Sequence, residues 1–300
     1  MPTVLCVGHA VQDFVFYVPA LPDRGEKYRA SRFESVGGGP AATAAVAIAR
    51  LGGRAVLAAR VGDDAAADMI ISELLAHGVD CGNLRRCPGC SSSASAVIVD
   101  AQGERMIVNH LDPALPADPS WLPAAESVGA AAVLADTRWP EGALAALQAA
   151  REAGLPAVLD ADRPIPADGE LLRAATHVAF SADALADYTG VADPARGLER
   201  AASGLTGWCG VTVGRDGVLA QAGGELRHYP GFDVPVVDTL GAGDVWHGAF
   251  ALALAEGRDE GAAVRFASAA AALKVQRKGG RSGAPTRAEL DSFLAARGVA

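Results

Sequence analysis

An α/β fold, with a mostly parallel central sheet covered by helices on both faces and a small β-sheet lid, is the architecture this 300-residue sequence predicts. Three observations carry it. Strand-like apolar runs alternate with helix-period segments over most of the length, the pattern of successive βαβ units. Two β-rich stretches, at about 14–35 and 93–110, interrupt the alternation without a helix between their strands, as a separate small sheet requires. Half of all residues are hydrophobic, enough for one large core. The chain reads as a single domain over 1–300, with the lid built from the two excursions.

The elements follow in order. A strand over Val4–Gly8 precedes the first excursion; a helix over Ala41–Leu51, a strand over Ala55–Val61 and a helix over Ala65–His77 come next. The second excursion holds a hairpin, Ala94–Val99 and Arg105–Val108, around the turn Asp100-Ala101-Gln102-Gly103. The alternation resumes with a strand at Ala131–Asp136, a helix at Glu141–Ala153 and a strand at Pro156–Asp160. It continues through a strand at His177–Ser181, helices at Ala182–Tyr188 and Ala195–Leu205, and a strand at Cys209–Val213. A β-branched, strand-like run from Val234 to Val237 and a helix from Val245 to Ala255 frame the last clear motif.

Composition narrows the function. With 26 basic against 35 acidic residues the net charge is -9, which argues against nucleic acid or an anionic membrane as partner. No apolar run is long enough to span a bilayer, and the N-terminus enters a strand without a charged leader, so a cytoplasmic location is expected. Cys6, Cys81, Cys87, Cys90 and Cys209 are odd in number. They read as reduced thiols, with those around Cys87-Pro88-Gly89-Cys90 in a loop.

The most informative run is Asp238-Thr239-Leu240-Gly241-Ala242-Gly243-Asp244. Residues as small as Gly241, Ala242 and Gly243 let backbone N–H groups approach an anion, and a helix N-terminus behind them adds a favourable dipole. A carboxylate at Asp244 repels phosphate but can take a proton from an attacking hydroxyl. Together they suit phosphoryl transfer. A second glycine run, Gly37-Gly38-Gly39, precedes a helix and permits backbone approach to another ligand.

These motifs resemble those of the ribokinase-like (PfkB) sugar kinases. The resemblance implies a ribokinase-like fold, ATP and Mg²⁺ as cofactors, Asp244 as catalytic base and Gly241, Ala242 and Gly243 as the anion hole. Asp13, Gly38 and Gly39 match sugar-binding positions. Thr212, Gly214 and Gly217, in Thr212-Val213-Gly214-Arg215-Asp216-Gly217, match the nucleotide side together with Gly243. Two departures stand out: Thr43 replaces a common Asn, and Ser181 and Ala184 occupy the places of an Asn-x-x-Glu motif linked to Mg²⁺. The sequence therefore names no metal ligand.

Lys27, Asn109 and Arg138 are anion-capable side chains on three separate segments near the lid or a strand end. Their convergence would select an anionic sugar. Blocks such as Leu134-Ala135-Asp136-Thr137-Arg138-Trp139 and Gly279-Gly280-Arg281-Ser282-Gly283-Ala284-Pro285 resemble the sulfofructose-phosphorylating branch of the family, where these three positions face the sulfonate. Other anionic sugars (fructose 6-phosphate, tagatose 6-phosphate, 2-keto-3-deoxygluconate) and a non-catalytic sugar sensor remain alternatives. Family lids pair, so a homodimer through the lid is expected.

Overall fold

β1 (Thr3–Gly8) is buried along its length because parallel partners flank it on both sides. The computed structural model describes residues 1–166, 169–222 and 224–298. From β1 the chain passes into β2 (Val11–Tyr17), returns through β3 (Arg32–Gly38) to α1 (Pro40–Arg50), and adds β4 (Arg54–Gly62), α2 (Ala65–Ala76) and β5 (Asp80–Cys87). β6 (Ala94–Val99) and β7 (Arg105–His110) form the hairpin. Then come β8 (Ala130–Asp136), α3 (Pro140–Glu152), β9 (Ala157–Ala161), α4 (Glu170–Ala174), β10 (His177–Ser181), α5 (Ala182–Thr189) and α6 (Pro194–Ala202). β11 (Trp208–Thr212), β12 (Val218–Ala222), β13 (Glu225–Tyr229), α7 (Ala242–Ala255), α8 (Glu260–Val275) and α9 (Arg287–Ala295) complete it.

Among the described residues the core sheet has nine strands in the order β13-β12-β11-β10-β9-β8-β1-β4-β5, parallel except at the β11-β12-β13 edge. One apolar layer packs α1, α7 and α8 on one face, with Trp246 stacked on Phe250 at 4.9 Å. A second layer packs α3 to α6 on the other. Side-chain caps fix several helix starts: Asp64 accepts from Ala67 N at 2.9 Å, Asp259 from Ala262 N at 2.8 Å, and Thr286 with Glu289 forms a capping box on α9.

The lid is a four-stranded sheet ordered β3-β2-β6-β7. Its register sets Asp13 beside Ser95 and Ser95 beside Asn109, a row across three strands. Its edge strand is open on both faces: Ile107 and Val108, which point to opposite sides, are exposed, as is Phe33 on β3.

Several expectations are corrected. Val234 to Val237 forms no strand; Val236 and Val237 are exposed, and Val237 N donates to Val275 O at 2.7 Å at the end of α8. A β-branched composition without a neighbouring strand edge to pair with does not make a strand. α7 begins at Ala242, three residues before Val245, so Gly243 and Asp244 lie inside its first turn. Cys81 and Cys87 belong to β5, with only Cys90 in the turn beyond; all are free thiols. α8 is apolar nearly all round because it is wedged between α7 and α9, which erases the amphipathic signal. No described helix is long and apolar enough to cross a membrane.

Candidate active site

Gly241 adopts a left-handed backbone (φ 74°) and caps α7, which lets the chain turn into the helix, with Ala242 N donating back to Thr239 O at 3.1 Å. A side chain on Gly241 would press against Thr43 of α1 at 3.3 Å, whereas one on Gly243 would meet nothing within 4 Å. Gly243 thus opens onto solvent at the mouth of a 14-residue helix, where an anion can approach. The loop before it is anchored. Asp238 Oδ1 accepts from Leu240 N at 2.9 Å and from Arg105 Nη2 of the lid at 2.9 Å. The fully buried Lys274 donates to Asp238 O at 2.9 Å and lies 3.4 Å from its carboxylate.

Asp244 keeps some exposure as a residue, but its carboxyl is enclosed. Burial first, then the charges of Asp160, Asp136 and Asp162, push its pKa well above the usual carboxylate range, while His247 pulls it down. Such a group is a better proton acceptor than an ordinary aspartate.

Asp136, at the end of β8, is a hub that the sequence did not single out. Its carboxylate accepts from His9 N at 2.8 Å, Ala41 N at 3.0 Å and Arg138 N at 2.8 Å. Burial nevertheless lifts its pKa to about 6. A Cβ on Gly8 would strike this carboxylate at 2.3 Å, which explains glycine there.

The glycines expected on the sugar side have distinct packing reasons. A Cβ on Gly38 would lie 2.2 Å from Asp13 Oδ2, and one on Gly39 (φ 94°) 2.4 Å from His9 O. Asp13 itself sits on lid strand β2 and not in a turn at the core-sheet edge. Desolvation raises its pKa, opposed by the Ser95 hydroxyl. Asn109 donates to Ser95 Oγ at 3.0 Å, so the lid brings Asp13 and Asn109 together through Ser95. Arg138 stands on the core, its guanidinium 3.4 Å from Asp162. Lys27 is exposed on the β2–β3 connection and makes no hydrogen bond or ion pair among the described residues. The three expected anion ligands therefore make no contact with one another.

On the nucleotide side, Thr212 ends β11 and donates to Phe180 O at 3.4 Å. Gly214 (φ 61°) faces open space. Gly217 is explained by packing, since a Cβ there would strike Tyr229 O at 2.1 Å in the hairpin that follows. Ser181 caps α5 through Ala184 N and donates to Asp162 Oδ1 at 2.8 Å. Among the described residues no group of three or more His, Cys, Asp or Glu has metal-holding geometry. Arg281, buried between Glu73 at 2.9 Å and Gly38 O at 3.3 Å, links the glycine run to the Gly241 turn, whose Cβ position is 3.8 Å from Arg281 N. Its role was invisible in sequence because both partners are over 200 residues away.

A solvent-open helix start, an enclosed acid beside it and a small sheet carrying a polar row are compatible with phosphoryl transfer to a hydroxyl. Residues 1–287 match the pfkB family carbohydrate kinase. The Bacillus subtilis ribokinase is 31% identical, over 98% of this chain and all of that one. The ATP-dependent ribose-1-phosphate kinase of Halopiger xanaduensis is also 31% identical, over 99% of both. The Arabidopsis thaliana ribokinase solved with ribose and ATP superposes with a TM-score of 0.86 at 27% identity, covering 98% of each chain. The chain belongs to the pfkB family of carbohydrate kinases, with the ribokinase-like fold, and is an ATP-dependent carbohydrate kinase.

Proposed function

We propose that this kinase transfers the γ-phosphoryl group of ATP to the 1-hydroxyl of an anionic ketose. 6-Deoxy-6-sulfofructose is the first candidate, giving its 1-phosphate, a step of sulfoquinovose breakdown. The observation that carries the anionic reading is Arg138. Asp136 grips its backbone at the substrate edge of the sheet, and its guanidinium is close enough to His9, together with that of Arg60, to depress the His9 pKa to about 4 after burial. Arg60 on β4 and Arg138 beyond β8, on the two strands that flank β1, offer two guanidinium groups that suit a sulfonate or phosphate better than a neutral pentose. Ribose is the second reading, favoured by the names of the relatives.

In the proposed mechanism Asp13 orients sugar hydroxyls, and Asp244 takes the proton of the attacking hydroxyl. The amides opening α7 at Gly241, Ala242 and Gly243 receive the charge that develops on the transferred group. Thr212, Gly214 and Gly243 line the nucleotide side; Mg²⁺ is expected to arrive on the ATP phosphates, supplying charge neutralisation there. Lys27 and Asn109 complete the anion contacts when the lid closes, which requires Lys27 to move inward.

ATP turnover is measured with sulfofructose, fructose 6-phosphate, ketodeoxygluconate, fructose and ribose side by side. Sulfofructose is expected to lead; higher efficiency with ribose overturns the substrate assignment. Arg138→Ala leaves the backbone bond to Asp136 intact, so the fold should survive. Losing a charge-assisted contact of about 1.5–3 kcal/mol lowers kcat/KM for sulfofructose at least roughly tenfold. Fructose, lacking the anion, should lose far less, and equal losses on both would make Arg138 a structural residue.

The second proposal concerns assembly. Phe33 and Val108, exposed on the same face of the small sheet, suit pairing with a second copy of that sheet. Sedimentation equilibrium should give twice the chain mass; a monomer at micromolar concentration rules this out.

A further inference from the structure

We infer that His247 is a positioning residue that keeps Asp244 available as a base by placing positive charge within a buried cluster of carboxylates. The inference rests on the reading of Asp244 as base. His247 lies one helical turn beyond Asp244 on α7, and its Nδ1 is 3.2 Å from Asp160 Oδ2 on β9. Both side chains are about 5% exposed. Asp160 Oδ1 and both ring nitrogens of His247 lack a hydrogen bond of good geometry, so the 3.2 Å contact is an ion pair and not part of a saturated structural network.

The surrounding charges are unbalanced. Asp160 on β9, Asp162 just beyond it and Asp136 on β8 all act on Asp244 with the sign that holds its proton. The buried face of α1 is uncharged, and the Arg281 guanidinium is turned away to Glu73 and Gly38. From α8, Lys274 faces Asp244 as a second cation but is committed to Asp238. Within the cluster, His247 remains to offset the acids, and Asp160 in turn favours its charged form, as does the Ala179 carbonyl on β10.

Stability alone does not account for the pair. A buried ion pair is commonly matched or bettered by apolar residues of similar volume, and α7 is otherwise apolar through this stretch. The position beneath the base gives the charge something to act on. Coulomb interactions are strong where water is excluded.

The test is the titration of the Asp244 carboxyl carbon by NMR in the unligated protein, assigned by its disappearance in Asp244→Asn. His247→Asn should move the titration at least half a unit upward. Asp160→Asn, which removes a carboxylate whose charge holds the Asp244 proton, should move it downward. The acid limb of kcat/KM, with the best sugar of the substrate series, should follow in the same two directions. A merely structural pair would move neither, or both the same way, and that outcome overturns the inference; His247→Gln serves if the Asn variant fails to fold. Full turnover by Asp244→Asn would instead sink the underlying base assignment, so the two failures are distinguishable.

Discussion

Asp244→Asn is expected to lower turnover by roughly 10²–10⁴-fold, the contribution of a positioned general base, while the KM for ATP stays within a few-fold of wild type. The amide fills the same space at the start of α7 but cannot accept a proton. Stability supplies an independent check with a definite sign. The folded-state pKa of Asp244 is raised above its ordinary value, chiefly by burial. Its proton is therefore retained at low pH without cost, and the stabilisation is lost as pH rises through the folded pKa. The Asn variant, which never ionises, should gain most in melting temperature over wild type near pH 8, and the gain should shrink as the pH falls towards the ordinary carboxylate pKa. Activity within a few-fold of wild type would remove Asp244 from the chemistry.

Gly243→Val should abolish phosphoryl transfer through a different route, with a loss on the order of 10²-fold or more, comparable to removing an oxyanion donor. The position has an ordinary helical backbone, and a Cβ built there meets nothing within 4 Å. The unliganded fold can therefore accept the side chain, and valine is a better helix former than the glycine it replaces. What it blocks is the space in front of the helix amides. The expected signature is an unchanged melting temperature with a lost calorimetric response to ATP. Normal ATP binding and rate would show that the phosphate lies elsewhere.

The sequence made the alternating core legible because most parallel strands are short apolar runs bounded by helix-period segments, as at Ala131–Asp136. It made the lid legible through a hairpin turn. It missed what depends on tertiary surroundings: α8, whose buried flanks hide its periodicity, and the loop at Val234–Val237, whose composition alone suggested a strand. At the site, Asp244 and the glycines were readable because close approach to an anion needs small residues next to a helix start. Asp136, Asp160, His247 and Arg281 were not, since each acquires its role from partners on distant elements. Gly217 was legible as a site glycine and is held by packing against Tyr229.

The shared oxygen of Asp238 has a thermodynamic corollary. Arg105 of the small sheet and Leu240 of the loop both draw on Oδ1, so order in the sheet proposed to cover the sugar and order in the loop proposed to face phosphate are not independent variables. A ligand that settles one alters the free energy of settling the other, and linkage makes the effect mutual. Whatever factor sugar contributes to nucleotide affinity, nucleotide must return to sugar affinity. Cutting the Arg105–Asp238 contact would then change the size of that common factor while leaving its symmetry intact.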